Sequence, residues 1–398
     1  MALSNVVVSG IGETAKSRPS PGNDDPYHDV EEYFRMAAER TLADAGLGWQ
    51  AVDGLGLARP QEEWPFQYPL ELVQTLGFED IQWLTTTDHC NGQAVSMLAQ
   101  AATAVEAGVV DSVLCLGADT PIHPEEMPED PDTRGITPNF VNPFGMQGAN
   151  ARIAMVQRRH MAEYGTTIDQ LGKLYVTQRE HATHNPLAYW DEPVDLQEYK
   201  NSRMIADPVR LFDCVIPVNA GLGFLLTTPE LAADLDTDPV AVRGFGNSHN
   251  PETDPLRDIT RLGIDGAADR AFEMADIQPH DADLLQLYDC YPIIEAIEMG
   301  ELGFYERGEM GEFLETTDFH FDGDLPLNTG GGQLCAGQAG GAGGFHQVLE
   351  ATRQLRGDGG SRQVPDAEIG IVSGVGAGTY DYNFAQKSVA VLEQGVPT

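Results

Sequence analysis

Short apolar runs that end in glycine, each followed by a segment of helical spacing, limit most strongly what this chain can fold into. Val6-Val7-Val8-Ser9-Gly10-Ile11-Gly12 opens the series as a buried strand. Residues 29–45 then place Tyr33, Ala37, Leu42 and Ala45 on one side of a helix, with Gly46 as the stop. Val52 to Leu57 reads as the next strand. A second helix runs over residues 92–107, closed by Gly108, and a strand follows from Ser112 to Gly117. Leu222 to Thr227 ends this half. The acidic stretch from Thr228 to Pro239 breaks the pattern, which restarts with a strand from Val240 to Gly246. A helix around Thr260 to Ala275 and a strand at Leu284–Leu287 come next. A glycine-rich stretch, a helix ending at Leu355 and a strand from Ile369 to Ser373 complete the second half. Such alternation predicts an α/β fold with mixed, largely parallel sheets. The expected domains are residues 1–238, with an inserted loop region at about 120–210, and residues 239–398. Residue identity shows no repeat between them.

Charge narrows the function. Sixty-two Asp and Glu face 23 Lys and Arg, a formal net charge of −39 over 398 residues. The acid is dispersed rather than gathered into a tail, so it reads as a surface kept hydrated in concentrated salt, as in a halophile. A nucleic-acid partner is excluded, because phosphate binding needs the opposite field. No apolar stretch approaches the roughly twenty residues that span a bilayer. Met1 to Gly12 carries no basic leader, so a cytoplasmic protein is expected. Cys90, Cys115, Cys214, Cys290 and Cys335 are scattered without a CxxC, which points to reduced thiols, with neither a disulfide framework nor a metal site.

Two stretches carry the chemistry. In Asp88-His89-Cys90-Asn91-Gly92-Gln93-Ala94 a cysteine stands at the start of a helix. There the positive end of the dipole favours a thiolate that can attack a thioester, and unpaired amides can hold an oxyanion. A buried packing cysteine at a strand–helix turn is the equally simple alternative. The second stretch runs from Asn328-Thr329-Gly330-Gly331-Gly332-Gln333-Leu334-Cys335-Ala336-Gly337-Gln338 to Gly357. Its glycines allow close backbone approach to a ligand or turns of positive φ. A phosphate loop is excluded, since GxxxxGK[ST] is absent.

These residues resemble a known family. The segment from Cys90 to Asp119 resembles the nucleophile region of thiolases, and Asn328 to Gly357 resembles the glycine-rich active-site loop of the sterol-carrier-protein-type branch. Tyr288-Asp289-Cys290-Tyr291 is similar to that branch's His-Asp-Cys-Phe motif, followed by Glu301-Leu302-Gly303-Phe304 in the same style. The stretch His181-Ala182-Thr183-His184-Asn185-Pro186 adds to the match, which covers nearly the whole chain. The resemblance implies a duplicated thiolase-type fold of two α/β/α halves and a homodimer or tetramer. It also implies a coenzyme A thioester as substrate, with no bound cofactor. Relatives with this motif set work with a small OB-fold, zinc-ribbon protein.

The resemblance also shows replacements. The family's Gly-His-Pro histidine falls on Gln338, which donates hydrogen bonds but takes no proton. The histidine of the second motif falls on Tyr288. Ser373-Gly374-Val375-Gly376-Ala377-Gly378 stands where thiolases carry Cys-x-Gly or Asn-x-Gly. Cys90 lies 108 − 90 = 18 residues before Gly108, one more than the family spacing, which brings Asn91 to the nucleophile position unless a local insertion intervenes. The expected catalytic residues are Cys90, Tyr288, Asp289 and Gln338. Those expected to hold substrate are His89, Asn91, Gly337, Gly376 and His346.

Three readings follow. First stands an acyl-CoA acyltransferase with Cys90 as nucleophile, Gln338 and backbone amides as oxyanion donors, and His89 or Asp289 assisting proton transfer. The second is a retro-aldolase that cleaves a β-hydroxyacyl-CoA through Tyr288, tuned by Asp289 and needing no acyl-enzyme. The third is a non-catalytic subunit that binds acyl-CoA or a partner. Elsewhere, Cys335 is expected as an apolar filler, and Asn219 as the holder of a turn. His181 and His184 are expected to cap, pack or line a pocket.

Overall fold

A computed structural model describes residues 3–20, 23–60, 68–88, 92–123, 142–146, 148–249, 258–378 and 384–397. The strands are β1 (Val7–Glu13), β2 (Gly54–Ala58), β3 (Trp83–Thr87), β4 (Ser112–Asp119), β5 (Met204–Ala206), β6 (Val209–Arg210), β7 (Ala220–Thr227), β8 (Val240–Ser248), β9 (Leu284–Gln286), β10 (Ile369–Gly378) and β11 (Phe384–Gln394). The helices are α1 (Val30–Ala45), α2 (Leu70–Leu76), α3 (Gln93–Glu106), α4 (Gly148–Tyr164), α5 (Ile168–Thr183) and α6 (Leu196–Asn201). They continue with α7 (Pro229–Ala232), α8 (Asp265–Ala275), α9 (Pro292–Glu301), α10 (Met310–Thr316), α11 (Gly332–Ala336) and α12 (Phe345–Leu355).

Local chemistry sets several boundaries. The Asp29 carboxylate accepts the Glu32 amide at the start of α1, and Gly46, at φ 68°, closes it in the left-handed conformation. Gly108, at φ 66°, follows α3 in the same way. The second-half helix begins at Asp265 rather than Thr260, because Asp258 bonds the Thr260 amide and Gly263 turns left-handed at φ 73°.

Nine strands form one mixed sheet in the order β3-β2-β4-β7-β1-β8-β11-β10-β9. Parallel pairing lies at the flanks, β3–β2–β4 on one side and β10–β9 on the other. The strands between them pair antiparallel. Only Val7↔Ala241 and Val8↔Val240 join β1 to β8, so the sheet is two arms meeting along a short edge.

The arms repeat one plan. In each, the first strand pairs antiparallel with the last. The last pairs antiparallel with the strand after a buried helix, and that strand runs parallel to an earlier one. The buried helices are α3 and α12. Each touches the strands of both arms, so together they form a middle layer. Alanines on α3, among them Ala94, Ala101 and Ala102, let the arms approach closely, and the resulting core includes Val8, Met97, Phe224, Phe345 and Leu392. Outside, α1 covers the first arm and α8 the second. The result is a five-layer α/β/α/β/α stack: the alternation predicted its α/β class, and the resemblance implied its two α/β/α halves.

Residues between β4 and β7 supply α4, α5, α6 and the β5–β6 hairpin, and α5 packs on α9, α10 and α11 above the second arm. Among the described residues no helix is long and apolar enough to cross a membrane, and no cluster of His, Cys, Asp and Glu could hold a metal ion.

Candidate active site

Tyr288-Asp289-Cys290 leaves the end of β9 and turns into α9, where Pro292 occupies the first turn. All three residues are buried. The Asp289 carboxylate accepts the amides of Gln333 at 2.9 Å and Leu334 at 3.0 Å, with Gln347 Nε2 at 3.3 Å. It thereby holds the first turn of α11, the beginning of the glycine-rich loop. Gly332 makes this possible: it sits at φ 58°, and a Cβ there would fall 1.9 Å from Asp289 Oδ2. Burial pushes the Asp289 carboxyl up to about 7, with the amide hydrogen bonds pulling it the other way.

Behind Asp289 lies Glu295, whose two oxygens take Gln178 Nε2 at 2.7 and 2.6 Å and one of which takes Asn328 Nδ2 at 2.5 Å. Burial, then the charge of Asp289, drives the Glu295 carboxyl well above its ordinary range. Asn328, at φ 46°, copies a strand partner: Oδ1 accepts the Leu287 amide at 2.9 Å and Nδ2 donates to the Leu287 carbonyl at 3.1 Å.

The next part of the loop is held from two sides. Gln338 pairs through its backbone with Ile216 and Val218, and its half-buried side chain donates to Gln333 Oε1 at 3.2 Å. His346 of α12 lies beneath it, hydrogen-bonded to the backbone of Gly337 and 3.5 Å from Glu13. Burial, then the charge of Lys16, lowers the His346 imidazole to about 4 and keeps it neutral at ordinary pH. Burial opposes ionisation of Glu13, but Lys16, His346 and Arg353 outweigh it and bring that carboxyl to about 2. Glu350 behaves alike: burial is overcome by Arg353 and Arg362, and its carboxyl also reaches about 2.

Further along, Gly341 N donates to Asp119 Oδ2 at 2.7 Å and Gly341 O accepts Gln93 Nε2 at 2.6 Å. These bonds tie the loop to the end of β4 and the start of α3. Gly92 packs against β10: a Cβ on it would lie 2.8 Å from Gly376 N and 1.9 Å from Gln386 Oε1. Ser373, on the same strand, accepts the Tyr288 amide at 2.9 Å. The start of α3, the segment 373–376, Tyr288 and the glycine-rich loop therefore meet at one place. His89, Cys90 and Asn91, expected there from the sequence, directly precede Gly92 and lie outside the described residues.

The described thiols are held as neutral groups. Burial, then Glu298 and Asp289, raises Cys290, which the Tyr288 side chain hydrogen-bonds. Burial also raises Cys115 and Cys335, and pushes Cys214 up to about 12. Cys335 packs with Tyr175, Tyr199 and Leu334. His181 is buried with Nδ1 3.2 Å from the Asn328 carbonyl, and His184 closes α5. Asn219 bonds both backbone groups of Ile122, at 2.9 and 2.7 Å, so it ties β7 to the chain beyond β4. Sequence reading missed Ser373, Glu295 and Glu298. Two acids at helical spacing within the apolar run from Pro292 to Met299 were the available signal.

Residues 246–394 match the family described as Thiolase C-terminal domain-like. An acetyl-CoA acetyltransferase of Methanothermobacter thermautotrophicus is 39% identical over 226 residues, 56% of this chain and 59% of that protein, so the chain spans less than two thirds of this relative. The 17-hydroxy-3-oxo-4-pregnene-20-carboxyl-CoA lyase of Mycobacterium tuberculosis is 29% identical over 374 residues, covering 90% and 93% of the two chains. Among solved structures, an Ltp2-ChsH2(DUF35) aldolase superposes with a TM-score of 0.84 at 25% identity, over 98% of each chain. Human mitochondrial 3-ketoacyl-CoA thiolase, at 12% identity and a TM-score of 0.69, shares the fold. The protein has a thiolase fold. Its sequence matches support a place in the thiolase superfamily.

Two predictions follow from this geometry. Gly332→Ala places a methyl group against Asp289 in a left-handed backbone and is expected to cost about 2–4 kcal/mol in chemical unfolding. A variant as stable as the parent would show that Asp289 does not fix the loop. Below pH 6.5 the unfolded chain protonates His346 while the fold keeps it neutral down to about 4, so the parent loses stability across that window. The deficit of His346→Gln relative to the parent should therefore shrink by about 2–3 kcal/mol between pH 7 and 4, measured in molar salt. A pH-independent deficit contradicts the neutral imidazole.

Proposed function

We propose that this protein makes or breaks a carbon–carbon bond beside an acyl-CoA thioester by aldol chemistry, with Tyr288 moving the proton. One observation carries the reading. Tyr288 follows β9 with its amide bonded to Ser373 of β10 and its phenol hydrogen-bonded to Cys290, whereas every described thiol is held protonated and Gln338 fills the expected histidine position. Similarity to the lyase and the aldolase over nearly the whole chain supports it.

In the cleavage direction, Tyr288 acts as the phenolate, takes the hydroxyl proton of a β-hydroxyacyl-CoA and becomes the phenol. The bond between the α and β carbons breaks, the β carbon becomes a carbonyl, and the electron pair passes to the thioester as an enolate. Gln338 and backbone amides of the glycine-rich loop are suited to hold the enolate oxygen. The proton then returns to the α carbon. Atoms balance without water, oxidant or acyl-enzyme.

A second reading, the acyltransferase with Cys90 as nucleophile, draws on the 39% identity to the acetyltransferase. Similarity to the Ltp2-ChsH2(DUF35) aldolase supports assembly with a DUF35-type partner, and a homodimer or tetramer is part of the same proposal. The dispersed net charge of −39 supports a salt-adapted surface, and with it a cytoplasmic setting in concentrated salt.

Turnover of a β-hydroxyacyl-CoA in molar salt, with and without a DUF35 partner, tests the reading. Tyr288→Phe is expected to lower kcat about 100-fold or more, and Cys90→Ala to stay within about 3-fold of the parent. The reverse pattern would establish the acyltransferase instead.

A further inference from the structure

Glu298 is an acid that the proposed reaction leaves unused and that packing alone does not explain. It lies on α9 among Ile293, Ile294, Ile297 and Met299, with no accessible surface. Its Oε2 accepts the Ser373 hydroxyl, while Oε1 has no hydrogen-bond partner. Burial pushes this carboxyl far above its ordinary range, with the Ser373 hydrogen bond opposing. A leucine or methionine of similar volume would fill the site without a polar atom left unpaired.

What the carboxyl does touch is informative. The Tyr288 amide donates to Ser373 Oγ at 2.9 Å, and Ser373 donates to Glu298. The three groups form a chain whose members polarise one another. The Tyr288 side chain in turn hydrogen-bonds the Cys290 sulfur. Tyr288 is thus held at its amide by Ser373 and at its phenol by Cys290, and the first of these contacts leads to Glu298. Ser373 belongs to the strand that Gly92 packs against, so the same strand carries the Tyr288 contact and the start of α3.

We propose that Glu298, acting through the Ser373 hydroxyl, is a positioning residue that fixes Tyr288 for proton transfer; this rests on the aldol reading of Tyr288. It works as a neutral hydrogen-bonding group, so glutamine replaces it and leucine does not.

The test compares Glu298→Leu, Glu298→Gln and Ser373→Ala in the full chain, by turnover and by fluorine NMR of a ring-fluorinated tyrosine at position 288. Glu298→Leu and Ser373→Ala are expected to lower kcat about 10–100-fold with KM within about 2-fold, while Glu298→Gln stays within about 3-fold of the parent. Glu298→Leu should fold, since an apolar side chain replaces a buried acid. A leucine variant with the parent's kcat overturns the proposal, and so does an equal loss in the leucine and glutamine variants. If the parent turns over no β-hydroxyacyl-CoA, the aldol reading fails and the NMR signal decides the positioning claim alone. A resonance shifted by Glu298→Leu and Ser373→Ala but not by Glu298→Gln supports it; one unmoved by any of them contradicts it.

Discussion

The carboxylate of Asp289 joins two distant stretches of chain, and the geometry of the site depends on it. By accepting the amides of Gln333 and Leu334 it fastens the glycine-rich loop to the end of β9. The link requires the left-handed Gly332, where any side chain would collide with the carboxylate. A buried carboxylate is unfavourable unless donors surround it, and here backbone amides and Gln347 supply them. Asp289 therefore acts first as a fastener. Tyr288, its neighbour in sequence, is left as the group to which the proposed proton transfer is assigned.

Charge inside this core is organised in two ways. Around α12, Glu13, Lys16, Arg353, Glu350 and Arg362 alternate in sign, which keeps both acids ionised behind the loop. Around α9, Glu295 and Glu298 have amide and hydroxyl partners instead of cations, and burial holds them toward the neutral form. The first set makes a rigid base for Gly337 through His346. The second is a polar lining beneath Tyr288 and Cys290. One side of the site is thus fixed by ion pairs and the other by neutral hydrogen bonds, and proton transfer is assigned to the neutral side.

Much of the framework was legible in the sequence because local rules and burial agreed there. Asp29 and Gly46 bounded α1 as their chemistry dictates, and Gly108 closed α3. Strand β11 was not legible. Gln386, Lys387 and Ser388 interrupt its apolar pattern, yet all three are buried, and Gln386 donates to Ser388. β3 escaped for another reason: it is an edge strand in which only Thr87 is fully buried. The repeat of the two arms is a repeat of strand connections and not of residues, so residue identity did not show it, whereas the family resemblance implied it and the pairing displays it. At the site, motif residues pointed to Tyr288, Gln338 and the glycines, whereas Ser373 and Glu298 act through contacts between residues far apart in sequence.

A phenol, and not an acylated thiol, carries the proposed chemistry. Mass spectrometry of the intact protein after incubation with acetyl-CoA in molar salt tests this most directly. The expected result is a protein of unchanged mass that still binds coenzyme A. An added acetyl group mapping to Cys90 would contradict it and establish the acyl-enzyme route.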